Sequence, residues 1–158
     1  MSQWGRNGHV AVPGEGIRVD VGESWLEVLL RGAESDGQFG AFVFCHAPIA
    51  ENPPHAHQDF AKVLYILDGR YEFRVGDATF SAGPGGLVLV PRGSQHAFTT
   101  ATGGRVLFVC TPSGNEEMFL EIGALGPEPS PDQLARVSAR FRTTALPGPE
   151  GVPWRPPQ

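Results

Sequence analysis

Cysteine is scarce in this chain, with two in 158 residues. Cys45 and Cys110 each sit in an apolar, strand-like run, so the reading is two buried free thiols rather than a disulfide framework. Charge is sparse as well, at 18% of residues with a net of -5. No basic surplus exists to attract a polyphosphate, and neither nucleic acid nor an anionic membrane is expected as a partner. No apolar stretch is long enough to span a bilayer. The first residues, Met1-Ser2-Gln3-Trp4-Gly5-Arg6, have no apolar signal core, so the default expectation is a cytoplasmic protein. Long helical periodicity is missing from the first two thirds. Gly (21) and Pro (15) are plentiful instead, which favours many turns and short strands. The length fits one domain with a full core.

Strand signals come in quick succession. Ile17 to Val21 alternates, and Trp25 to Leu30 is a second run. Asp36-Gly37 marks a turn into a third, Gln38 to Ala47. There Phe39, Ala41, Val43 and Cys45 share one face, while Phe42, Phe44 and His46 share the other. His46 has a ligand's chemistry but no spaced partner, and a packing or surface role is preferred for it. His9, in the Gly- and Pro-bearing arm of residues 1–15, reads as an exposed histidine. Lys62 to Leu67, Arg70 to Val75, Ala78 to Phe80, Leu87 to Val90, Gln95 to Thr100 and Arg105 to Cys110 supply further strands. Asp68-Gly69, Gly76-Asp77 and Pro91-Arg92-Gly93 turn between them. Short strands at this spacing imply a sandwich or jelly roll.

Histidine is the residue that carries chemistry. In the stretch Pro53-Pro54-His55-Ala56-His57, the two imidazoles are two residues apart. In an extended strand they can face one point, as two nitrogen ligands of a transition metal do. A second stretch, Gly85 through Pro91-Arg92-Gly93 to His96, adds a third histidine after a strand and a turn. These two stretches resemble the paired motifs of the cupin superfamily over roughly residues 40–112. His55, His57 and Gly69 match the first motif, and Gly85, Pro91, Gly93 and His96 match the second. Lys62 stands where that motif has glutamate, and Thr100 where asparagine is common. The resemblance implies an all-β jelly-roll barrel with one or two C-terminal helices. It also implies a metal held by His55, His57 and His96: a divalent ion among Fe, Mn, Ni, Co, Cu and Zn, not distinguished by the ligand set.

Lys62 reverses the charge of the usual fourth ligand. An ammonium has no lone pair and repels a cation. Three outcomes stay open: a three-histidine centre; recruitment of Gln58 or Asp59 as an oxygen ligand; or loss of metal, with Lys62 and the imidazoles binding an anionic or enolic molecule. Lys62 is also the candidate catalytic residue, stabilising developing oxyanion charge, unless it snorkels to solvent. Some selection of Phe42, Phe44, Leu64, Tyr71, Phe73, Val88, Val90, Phe98 and Phe108 should line the barrel, which suits a small aromatic or hydrophobic ligand.

After Pro112 the period changes. Ser113 is a candidate cap for a helix with Glu116 and Glu117 in its first turn and Met118, Phe119, Ile122 and Leu125 as its stripe. Ser130-Pro131-Asp132 opens a second helix with Leu134, Val137 and Phe141. The division is therefore an arm (1–15), a barrel (16–112), a helical segment (113–145) and a Pro-rich tail (146–158). That C-terminal pattern loosely resembles single-domain cupins of the quercetin 2,3-dioxygenase-like group. The functional expectation is a metal cupin, dioxygenase-like, acting on a small aromatic or enolic molecule. Its alternatives are a non-catalytic binding or sensing barrel and a metal-dependent lyase or isomerase. A homodimer is expected, because open sheet edges need cover.

Overall fold

A computed structural model describes residues 8–145. The arm's first residues and the Pro-rich tail lie outside the described residues. Ten strands precede the helices: β1 (Ile17–Val21), β2 (Ser24–Leu30), β3 (Gly40–His46), β4 (Ala50–His57), β5 (Ala61–Gly69), β6 (Tyr71–Val75), β7 (Ala78–Ala82), β8 (Leu87–Val90), β9 (His96–Thr100) and β10 (Gly104–Thr111). Then come α1 (Asn115–Ala124), α2 (Pro131–Arg140) and a final short strand, β11 (Thr143–Ala145). Two antiparallel sheets result, ordered β1-β2-β3-β10-β5-β8 and β11-β4-β9-β6-β7. This is a jelly roll.

The alternation read from the sequence becomes the inside and outside of the sandwich. Phe42 and Phe44 of β3 point inward, as do Leu64 and Ile66 of β5, Tyr71 and Phe73 of β6, and Phe98 of β9. Phe42 is fully buried and stacks on Phe108 at 4.9 Å between ring centroids. Burying one such ring stabilises the fold by about 1.5–3 kcal/mol. Cys110 is buried and Cys45 half-buried, and both are free thiols.

The turn glycines have reasons. Gly69 takes φ 84°, and a Cβ there would run into the Gly103 carbonyl, so only glycine fits. Gly93, at φ 73°, ends the Pro91-Arg92-Gly93 turn and donates its N–H to the His57 carbonyl at 2.7 Å. The second histidine stretch is thus tied to the first by backbone.

The C-terminal segment departs from expectation in two places. It is not wholly helical, because β11 returns to pair with β4 and extends that sheet. Ser113 does not cap α1: Gly114 is the N-cap residue, with φ 154°, and a side chain there would press on the Phe60 ring. Glu116, placed by the sequence in the first turn of this helix, is fully buried. Its carboxylate accepts from Gly114 N–H (2.9 Å), Gly32 N–H (3.1 Å) and the Cys110 thiol (3.2 Å), which staples α1 to the barrel. The second helix opens as read: Ser130 caps it, and a reciprocal pair with Gln133 completes a capping box. No helix among the described residues is long and apolar enough to cross a membrane.

Candidate metal centre

β4 carries the first two histidines. Its prolines, which lack N–H groups, sit at a register shift between Asn52 and His55, where an extra residue leaves the ladder. Beyond that bulge, His55 pairs directly with His96 of β9, and His57 pairs with Thr143 of β11. The ligand-capable atoms of His55, His57 and His96 lie within 4.8 Å of one another. The structure therefore brings together the three imidazoles expected from the sequence.

Their tautomers follow from their partners. His55 Nδ1 lies 2.8 Å from the Pro53 carbonyl, and His96 Nδ1 lies 2.9 Å from the Ser94 carbonyl. A carbonyl only accepts, so each Nδ1 carries the proton. His57 Nδ1 is 2.8 Å from Thr143 Oγ1, whose own hydrogen goes to Met118 Sδ. That leaves Thr143 Oγ1 as acceptor and His57 Nδ1 as donor. In all three rings the unprotonated nitrogen is therefore Nε2, a lone-pair donor. His96 Nε2 is buried with no hydrogen-bond partner. An unpartnered buried nitrogen is costly unless something occupies it. The donor set, its tautomers and this orphaned atom fit a divalent transition metal.

The electrostatics agree. Burial first, then the nearby Lys62 charge, pushes the His55 pKa down to about 4. The same two causes, in the same order, push His57 and His96 down strongly. The rings are neutral at pH 7, the state a metal ligand requires.

Lys62 lies inside the barrel, with 4% of its surface exposed, so it does not snorkel. Its Nζ sits 3.3 Å from His57 Nε2 and 5.5 Å from the Phe108 ring centroid. Burial drives its pKa down to about 7, opposed by Cys110. The amine donates to the lone pair that a metal would use. Asp59 takes no part: its carboxylate pairs with Arg142 at 2.7 Å on the surface. Of the His, Cys, Asp and Glu side chains among the described residues, the cluster contains His55, His57 and His96 alone.

His55, His57 and Lys62 open into a cavity of about 450 Å³, with His96 buried behind its wall. Of the expected lining, Phe44, Phe98 and Phe108 reach it. Phe42, Leu64, Tyr71, Phe73, Val88 and Val90 are spent on the core. His46 reaches the wall too, stacked on Phe44 at 4.3 Å and hydrogen-bonded to Tyr71 Oη at 2.9 Å. It is a packing residue, and burial holds its pKa near 4. His9 is exposed and bonds the Leu29 carbonyl. Sequence reasoning missed Asn115, Met118 and Thr143, which line the same cavity from the C-terminal segment.

Residues 42–112 match the family model described as "Cupin domain". No curated protein matches the chain. Solved structures do. An RmlC-like cupin from Shewanella frigidimarina is 20% identical, covering 69% of this chain and 95% of its own, with TM-score 0.61. KdgF from Halomonas sp. is 16% identical, over 70% of this chain and 98% of its own, with TM-score 0.62. A mutant of the oxalate decarboxylase of Bacillus subtilis is 16% identical, over 70% of this chain and 31% of its own, with TM-score 0.60. At these identities the likeness is one of fold. The family match and the paired histidine stretches make residues 42–112 a cupin domain.

Proposed function

We propose that His55, His57 and His96 hold one divalent first-row metal, and that this centre acts on a small aromatic or enolic molecule in a dioxygenase-like reaction. The observation that carries the metal is the arrangement of tautomers. Each Nδ1–H is tied to an acceptor, leaving three Nε2 lone pairs within 4.8 Å. Bound there, a metal supplies Lewis acidity and, with a redox-active ion, a partner for dioxygen. The protein's own part is to seat the ligand. Phe44, Phe98, Phe108 and Phe119 give flat apolar walls. Lys62 places a donor beside His57, where an enolate or carboxylate oxygen of the ligand would sit. Burial also keeps bulk water from that oxygen.

The test is calorimetric titration of metal-free protein with Co(II), backed by elemental analysis. One ion per chain is expected, lost in His57→Ala and retained in His46→Gln. No uptake by the wild type would overturn the metal reading. A second reading has its own observation: Lys62 Nζ already donates to His57 Nε2. That favours a barrel that binds a small anion without metal or chemistry. Anion binding by protein that takes up no metal would select it.

A further inference from the structure

The cavity has a second polar pole that no motif predicts. Asn115, the first residue of α1, is only 1% exposed, yet it lines the cavity, and its Oδ1 has no hydrogen-bond partner. The side chain is not free to leave. Its neighbour Glu116 is buried and bonded to Gly114, Gly32 and Cys110. One turn on, Met118 is buried under Thr143, which also holds His57. The start of α1 is thus fixed against the barrel from both sides, with Asn115 in the cavity wall.

A buried amide oxygen without a partner weakens a fold, and an apolar residue of similar size would avoid that cost. The donors on the cavity wall, Lys62, Ser24, Ser138 and Thr143 among them, lie outside hydrogen-bond reach of it. What satisfies it must come from the contents of the cavity.

We propose that Asn115 is a ligand-recognition residue, whose Oδ1 accepts a hydrogen bond from a hydroxyl of the bound molecule. This rests on the reading above that the cavity takes a small molecule. It narrows the class to planar acids or enols with two poles: an anionic oxygen at Lys62 and the imidazoles, and a hydroxyl donor at Asn115. Phenyl-ring walls between the poles suit an aromatic body, so hydroxylated aromatic acids are the simplest members of the class.

The probes are benzoate, 3- and 4-hydroxybenzoate, and the methyl ethers of both phenols. Binding to cobalt-loaded and metal-free protein is followed by calorimetry and ligand-observed NMR. At least one hydroxybenzoate should bind the wild type about 5- to 10-fold tighter than its methyl ether, the worth of one buried hydrogen bond. In Asn115→Leu that ratio should fall to about one, with benzoate affinity little changed. Thermal unfolding without ligand should show Asn115→Leu at least as stable as the wild type, because an unpartnered amide is removed; Asn115→Ala serves if leucine proves too large. Equal binding of phenol and ether to the wild type would overturn the assignment. So would a preserved ratio in the variants, which would leave water as the partner of Oδ1. A large loss of stability in both variants would make Asn115 structural and also overturn it. If benzoate binds while the phenol preference is missing, only Asn115 is refuted. If no probe binds in either metal state, the small-molecule reading falls, and this inference with it.

Discussion

Replacing Lys62 is the sharpest perturbation of the centre. Its Nζ, 3.3 Å from His57 Nε2, uses one of the three lone pairs a metal needs. Its charge also lies over the Phe108 ring face, 5.5 Å from the centroid. No carboxylate ion pair holds it among the described residues. A metal must therefore break the Lys62–His57 hydrogen bond and tolerate a neighbouring positive charge. Breaking that bond costs about 1–1.5 kcal/mol, or about tenfold in affinity. Lys62→Met, of similar length and apolar, should remove this competition and tighten metal binding about tenfold. Lys62→Glu should do more, because it also adds an anionic oxygen. Two unit charges 4 Å apart interact by about 4 kcal/mol at an effective dielectric of 20, and a divalent ion doubles this to about 8 kcal/mol. After the desolvation of a buried carboxylate is subtracted, a gain of about 100-fold is the reasonable size.

Metal-free protein is titrated with Co(II) against a competing chelator, and the visible d–d spectrum reports coordination. The expected order of affinity is Lys62→Glu, then Lys62→Met, then wild type. The Glu variant's spectrum should change, while the Met variant's should resemble the wild type's in all but affinity. Equal dissociation constants for the three proteins would refute the reasoning, because an interior Lys62 touching a ligand has to matter. Native turnover should move the opposite way if Lys62 stabilises ligand oxyanion charge.

His46→Gln should flatten acid denaturation. The His46 pKa is lowered from 6.5 to about 4 when folded, so the unfolded chain binds the proton first and stability is lost as pH falls through that window. Wild type should lose up to about 3 kcal/mol more than the variant between pH 7 and 4, read from urea midpoints. Glu116→Ala should cost about 3–5 kcal/mol of stability, because it leaves the Gly114 and Gly32 N–H groups without their acceptor and opens a cavity; a loss under 1 kcal/mol would mean that the staple is not what holds α1. The homodimer expectation now has a surface: Leu87 and Leu89 are 64% and 57% exposed on β8, an edge strand, beside exposed Tyr65 and Leu67 of β5. Light scattering should give twice the chain mass, and Leu89→Lys should lower it; a monomer mass over a wide concentration range rejects the dimer.

Much of the barrel could be read because strands carry their orientation in the parity of their residues. Phe42 and Phe44 fell inside, and Val43 and Cys45 outside, as alternation requires. The histidines were legible for a related reason. A two-residue spacing survives the bulge at Pro53-Pro54, which lies before His55 and not between the pair. The interior position of Lys62 was visible only as a motif mismatch, since a lone lysine in a strand reads equally well as a surface residue. Parity also said which residues faced inward, but not how far along the barrel each one sat. Leu64 and Phe108 share a register, yet Leu64 joins the core alone while Phe108 reaches the cavity as well.

The C-terminal segment was the illegible part, and it matters most for the site. β11 is three residues long, too short for any period, and it forms because β4 offers an open edge beside the histidines. Thr143 earns its role only from that pairing, opposite His57. Glu116 looked like a first-turn charge because its burial depends on the fold, which brings Gly32 from 84 residues away beside Gly114 and Cys110. The apolar stripe of α1 is spent on the barrel at Phe119, whose ring packs edge-on to Phe42 and Phe44 at 5.4 and 5.5 Å. The two histidine stretches thus define which chemistry the barrel can hold. The segment beyond residue 112, through Asn115, Met118 and Thr143, fixes the orientation of His57 and the shape of the space in front of it. Barrels with the same three histidines and a different C-terminal segment should therefore share metal affinity and differ in ligand. Grafting is the direct check: exchanging Asn115, Met118 and Thr143 together should change ligand preference strongly, while cobalt affinity changes about tenfold at most through the loss of the Thr143–His57 bond.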